Sequence, residues 1–323
     1  MSPRHFCTLF DQNYLIKGLA MLNSLYRQYP SARVFVLCMD DDTHTILGEL
    51  GLPGVALLRL AEVEDDQLLA VKPGRGVAEY CWTLASCLTW HVFQSRPEVT
   101  NLTYLDADLM FFSPVEPLFA EVGDASIAII EHRFYPRYAD SIVNGRFCVE
   151  WVGFRRDAEG LACLERWREQ CIEWCFNRLE AGRMGDQKYL DEWPERFTSV
   201  CILQHPGAGI APWNYANYEI TRGAEGIMVD GAPLIFYHFH QLQILAANRY
   251  YYMSDMYSSV KAPPPEIYAA YEDELRAALS LIRQRRPGFR SGIQPLLPHL
   301  AIRAFQNCLP PGVKRFLKSV LRT

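Results

Sequence analysis

The run Leu102-Thr103-Tyr104-Leu105-Asp106-Ala107-Asp108-Leu109-Met110-Phe111-Phe112 constrains this chain more than any other stretch. An apolar strand enters two carboxylates one residue apart and then returns to apolar residues. Charges in such a run are costly unless something cationic meets them. In an extended chain, residues two apart point to the same side, so Asp106 and Asp108 are expected to face one ion together. Hard oxygen ligands of this kind suit Mg²⁺ or Mn²⁺, with positions left open for phosphate oxygens. The alternative is a strand end whose two aspartates cap a turn or begin a helix. Spacing alone does not separate the two.

Around this run the first half of the chain alternates strands and helices. His5–Phe10 and Arg33–Cys38 read as buried strands, and Tyr14–Tyr29 carries Leu15, Leu19, Leu22 and Leu25 at helical spacing. A helix near Asp42, a strand over Val55–Leu60 and a helix over Glu79–Gln94 lead to the strand that meets Asp106. This order predicts an α/β fold with a mostly parallel central sheet and helices on both faces. Ligands in such sheets bind beyond the carboxyl ends of the strands, where Asp11 and Asp106 would both fall. Later strands are expected over Ser126–Glu131, Phe147–Phe154, Ser199–Leu203 and Leu234–Tyr237, with a long helix from Asp157 to Glu180.

The 323 residues are ample for one large core. No apolar run reaches the length of a membrane span, and the start of the chain lacks the apolar stretch of a signal peptide. The expectation is a cytoplasmic protein. Ten scattered cysteines without a CxxC pair predict buried thiols rather than disulfides or a zinc site. The net charge of −5 conceals a split: no acidic residue follows Glu274, while ten basic ones do. We therefore expect a body over 1–260 and a helical, basic segment over 261–323. Within that segment Lys314, Lys318 and Arg322 line one side of a helix and Val313, Phe316, Leu317 and Val320 the other. A basic amphipathic helix of this kind suits an anionic membrane surface, worth ~1 kcal/mol per cation. Docking on the body's acidic surface is the alternative. The acidic body argues against nucleic acid.

Three further segments carry candidate chemistry. Thr8-Leu9-Phe10-Asp11-Gln12-Asn13-Tyr14 is a strand, a polar turn and a helix start, offering backbone groups, carboxamide and aromatic ring to a nucleobase. Helix capping by Asp11 or Asn13 is the plainer role. Phe236-Tyr237-His238-Phe239-His240 places two imidazoles on one side of a strand, and imidazole with two carboxylates is an acceptable Mn²⁺ set. In Gly185-Asp186-Gln187-Lys188, Asp186 either caps the helix beginning at Gln187 or stands with Gln187 beside a substrate. Trp213-Asn214-Tyr215 is either a sugar platform or core.

Taken in order, these segments resemble the GT-A-fold glycosyltransferases of family 8 type, the group containing glycogenin and the bacterial lipooligosaccharide galactosyltransferases. The chain is most similar to the branch met in bacterial cell-surface polysaccharide clusters. The resemblance covers roughly residues 4 to 250. It implies that Thr8, Leu9, Asp11, Asn13 and Tyr14 hold the uracil end of a UDP-sugar, and that Asp106, Asp108 and His238 hold Mn²⁺ (or Mg²⁺) on the diphosphate. His238 is preferred over His240 because the family pattern is His-aromatic-x-Gly. Asp186 and Gln187 would lie at the anomeric carbon and the acceptor, with retention of configuration. The implied acceptor is a glycan or lipid-linked oligosaccharide, reached from the inner face of the membrane. An inverting reaction would need a carboxylate base, for which Glu150 and Asp191 are candidates.

Two departures stand out. Cys148-Val149-Glu150 occupies the place of the family's Asn-x-Gly. Gln241-Leu242-Gln243 replaces the glycine after the metal histidine, and the lysine that normally meets the diphosphate is absent, leaving Arg75 or Lys188 as substitutes. Two rivals stay open: a nucleotide-sugar pyrophosphatase or phosphotransferase that uses the same Asp pair, and a nucleotide-sugar-binding scaffold without turnover, for which Cys148, Glu150 and Gln241 are the support.

Overall fold

Side chains of the first strand divide between two cores. The structure, a computed structural model, describes residues 4–296 except 225, 247, 254, 255, 258 and 259. In β1 (His5–Phe10), Phe6 and Phe10 enter one core while Cys7 and Leu9 enter the other. β2 (Arg33–Cys38) repeats the division, with Val34 and Val36 on one side and Phe35 and Leu37 on the other. A parallel sheet covered on both faces produces this near-continuous apolar pattern. The long helices are α1 (Leu15–Gln28), α2 (Asp41–Leu50), α3 (Val77–Ser95), α4 (Ala158–Glu173) and α5 (Pro265–Arg285). α1, α2 and α5 build the first core, and α3 and α4 the second.

The remaining strands of the main sheet are β3 (Val55–Arg59), β4 (Asn101–Leu105), β6 (Ile127–Glu131), β7 (Phe147–Arg155) and β8 (Val200–Leu203); β5 (Leu109–Phe111) lies outside it. The sheet order is β3-β2-β1-β4-β7-β6-β8. Its first four strands are mutually parallel, β7 runs against both neighbours, and β8 is parallel to β6. The expected α/β architecture is therefore present.

Two local expectations need correction. The run 102–112 is not one strand: β4 stops at Leu105, the chain turns through Ala107-Asp108, and β5 pairs antiparallel with β9 (Phe236–His238). The helix expected to reach Glu180 ends at Glu173. Arg75 meets its end: the guanidinium donates to Ile172 O in the last turn and to Cys175 O just beyond it, both at 2.7 Å, and a cation at a helix C-terminus satisfies groups that another turn would otherwise take.

α5 lies inside the 261–323 region, and it is packed rather than peripheral. Ile267, Tyr271, Leu275, Ala278 and Ile282 are all buried in the first core, and Arg27 of α1 pairs with Glu274 at 2.6 Å. The amphipathic segment expected over 313–322 lies outside the described residues. Among those described, the nine cysteines are free thiols, seven of them buried, and no helix is long and apolar enough to cross a membrane. Leu275→Ala should cost about 2–5 kcal/mol in denaturant unfolding. A cost near zero would make α5 an appendage.

Candidate active site

The chain runs outward from β1 through β2 to β3 and then returns to the other side of β1 as β4, so a switch point lies between β1 and β4. Such crevices are the usual ligand sites of open α/β sheets. Pairing of β1 with β4 ends at Cys7↔Tyr104, whereas pairing with β2 continues to Phe10↔Cys38. The strands part where Asp106 begins its turn.

Register then assembles the site. Antiparallel pairing of β9 with β5 sets His238 opposite Leu109, next to Asp108. The imidazole Nε2 lies 3.0 Å from Asp108 Oδ1 and 3.8 Å from Asp106 Oδ2. Ligand atoms of Asp106, Asp108 and His238 all fall within 4.8 Å of one another. The other imidazole nitrogen, Nδ1, meets Glu150 Oε2 at 2.7 Å. Glu150 is fully buried in β7. This places a carboxylate behind the histidine, where it fixes the tautomer and turns Nε2 toward the aspartates. In the sequence alone Glu150 reads as a departure or a possible base. Its signal was the one used for Asp106, a lone carboxylate in the apolar run Phe147–Phe154.

Electrostatics describe a site short of positive charge. Loss of solvent, only partly offset by His238, pushes Asp106 up to about 7. Burial, with Asp106 adding to it, pushes Asp186 up to about 8. At Asp108 burial is outweighed by His238 and Lys17, which hold the carboxyl well below its ordinary range. His238 is raised: burial opposes its charge, but Asp108 and Glu150 prevail. Two hard carboxylates and an oriented imidazole, with like charges crowding one another, fit a divalent cation such as Mn²⁺.

The other expected residues are placed as follows. Thr8 and Leu9 are buried in β1, and the Thr8 hydroxyl has no partner. Asp11 closes the turn before α1: its carboxylate accepts from Asn13 N, Tyr14 N and Asn13 Nδ2 at 3.0, 3.1 and 2.8 Å. Tyr14 is 42% exposed. Asp186 makes no capping hydrogen bond and is within electrostatic reach of Asp106. Gln187 opens a 3₁₀ turn, and its amide nitrogen donates to Asn144 O at 2.9 Å, leaving the carbonyl oxygen for other use.

Several alternatives are closed. Trp213, Asn214 and Tyr215 are all buried, so this segment is core rather than sugar platform; Trp213 packs edge-on against His238 at 5.2 Å. His240 stands behind it, lowered to about 3 by burial and by His238. Asp191 is engaged by Arg146 N and Lys188 Nζ, at 2.7 and 2.8 Å. Glu150 meets His238 through Oε2, while its buried Oε1 has no hydrogen-bond partner among the described residues. Arg75 and Lys188, the expected phosphate cations, are likewise committed to the end of α4 and to Asp191. Gln241 adopts φ +61°, so the turn keeps the left-handed backbone that glycine would favour.

Fold and site together define the class: this is the GT-A fold. The glycosyltransferase GlyE of Streptococcus pneumoniae TIGR4 shares it, with a TM-score of 0.50 at 14% identity over 90% of this chain and 66% of GlyE. The chain belongs to the same family as two uncharacterized proteins of Bacillus subtilis strain 168, YfnF and YfnD. It is 32% identical to YfnF over 292 residues (88% of this chain, 95% of YfnF) and 32% identical to YfnD over 302 residues (91% and 96%). No protein-family model matches the chain.

Because Glu150 orients His238, Glu150→Gln should weaken Mn²⁺ binding roughly 10- to 100-fold in an electron paramagnetic resonance titration. Unchanged affinity would remove His238 from the metal set or Glu150 from its support.

Proposed function

We propose that this protein is a metal-dependent glycosyltransferase that moves a sugar from a UDP-sugar to a glycan or lipid-linked acceptor in bacterial cell-surface polysaccharide synthesis. The observation that carries the proposal is the convergence of Asp106, Asp108 and His238 beyond the ends of β1 and β4, in a GT-A fold. A family 8 type of enzyme is the reading that fits the order of these segments.

A bound Mn²⁺ or Mg²⁺ would supply charge neutralisation for the departing nucleoside diphosphate. Asp106, Asp108 and His238 would hold it, with Glu150 keeping the imidazole turned. At the other end of the donor, the exposed ring of Tyr14 would stack the base, while the Thr8–Leu9 backbone and the Asp11–Asn13 turn give it hydrogen-bonding edges. Gln187, anchored through its amide nitrogen, would offer its carbonyl oxygen to the positive charge developing at the anomeric carbon. Asp186 would orient an acceptor or donor hydroxyl. Retention is the outcome the resemblance implies, and the engagement of Glu150 by His238 and of Asp191 by Arg146 N and Lys188 supports it over an inverting attack by either carboxylate.

The same proposal places the enzyme on the cytoplasmic face of the membrane, with residues 1–260 and the packed α5 as the catalytic body and the basic residues beyond α5 reaching anionic lipid. The departures at Glu150 and Gln241 are accommodated, one by the bond to His238 and the other by the retained turn.

A screen of UDP, GDP and CDP with and without Mn²⁺ tests the donor site. One nucleotide, expected to be UDP, should stabilise the protein by ~3 kcal/mol at a hundredfold excess over Kd. Asp106→Ala/Asp108→Ala should abolish this. With the matching nucleotide sugar, release of nucleoside diphosphate supports transfer. Release of sugar phosphate would mark a pyrophosphatase, and binding without product a scaffold.

A further inference from the structure

The donor reading leaves one electrostatic demand unmet. A diphosphate carries more negative charge than one divalent ion at two carboxylates neutralises, and enzymes meet it with a nearby cation. Arg75 binds backbone carbonyls and Lys188 binds Asp191. Arg146 pairs with Glu131, and Arg133 binds the carbonyls of His205 and Ala208.

Lys17 is placed differently. It is a single cation in the apolar stretch Leu15-Ile16-Lys17-Gly18-Leu19 of α1, one turn beyond Tyr14, and only 7% exposed. Its ammonium lies 3.9 Å from Asp108 Oδ2, beyond hydrogen-bond distance, and 4.3 Å from the centre of the Tyr14 ring. Among the described residues it makes no hydrogen bond. An ammonium withdrawn from water without an acceptor is expensive to keep, and a closer pair with Asp108 would be the simple remedy. Instead it lies near both the ring that would receive the base and the carboxylate that would hold the metal. A nucleotide with its base on that ring and its diphosphate at that carboxylate would bring phosphate oxygens near this ammonium.

We propose, resting on the donor reading above, that Lys17 is the residue that binds the donor's diphosphate, replacing the lysine absent after His238. It completes its hydrogen bonds on phosphate oxygens and leaves the metal on Asp106, Asp108 and His238. The role is electrostatic binding, and no covalent step passes through it.

The test uses the full chain with Mn²⁺ and three probes: UDP, uridine and inorganic pyrophosphate, the last being independent of the base. Lys17→Met should bind UDP and pyrophosphate roughly 10- to 100-fold more weakly than wild type, as expected for loss of a charged hydrogen bond. Its affinity for uridine and for Mn²⁺ alone should not fall. Lys17→Arg should recover much of the diphosphate affinity, and it also serves if the methionine variant does not fold. Wild-type affinity for UDP and pyrophosphate in Lys17→Met would overturn the proposal. So would a parallel loss of Mn²⁺ binding, which would make Lys17 a support for Asp108 alone. If wild type binds neither UDP nor pyrophosphate with Mn²⁺, the donor reading itself falls and this inference with it.

Discussion

Antiparallel pairing of β5 with β9 is the interaction on which the site depends. β5 is three residues long and follows the turn that carries Asp106 and Asp108. β9 is equally short and ends in His238. Their register decides that the imidazole meets Asp108 at 3.0 Å. A slip by one residue would turn His238 to the opposite face, because side chains alternate along a strand. Phe111 and Phe236, fully buried and 5.8 Å apart, fix that register by packing.

The surroundings are built to hold this arrangement. Glu150 comes from β7, which is paired to β4, so the base of the histidine is tied to the strand that delivers Asp106. Asp106 N also bonds Glu150 O at 3.2 Å. Trp213 closes the opposite side of the imidazole, and Asn214 anchors that segment to His132 O and Gly209 O, both at 2.8 Å. The site is therefore carried on strands and buried loops, with few exposed side chains to reorganise. Rigid support of this kind is what an electrostatically preorganised site requires.

Much of this was legible in the sequence, and the failures share a cause. Periodicity located β1, α1, β2 and α3 within a few residues, because each buries its own pattern of apolar side chains. The DxD triplet stood out as charge in an apolar run. What periodicity could not show was that the run breaks at Asp106 and that its second half joins another sheet, a tertiary event. The early end of α4 has the same origin, since the guanidinium that caps it comes from Arg75, 97 residues away along the chain. Lys17 and Glu150 carry the same signal as Asp106, one charge among apolar neighbours, but inside a regular element Lys17 shows no partner in sequence and Glu150 reads as a departure or a base rather than as the partner of His238. A buried charge in a helix or strand calls for a search for its partner as much as one in a loop does.

The most direct test is a crystal structure with Mn²⁺ and UDP, read at the manganese absorption edge. The account predicts one anomalous peak at coordination distance from Asp106, Asp108 and His238 Nε2, with the diphosphate on its open side. A peak on Cys148 and Glu150 instead, or UDP bound away from the β1–β4 crevice, would contradict it.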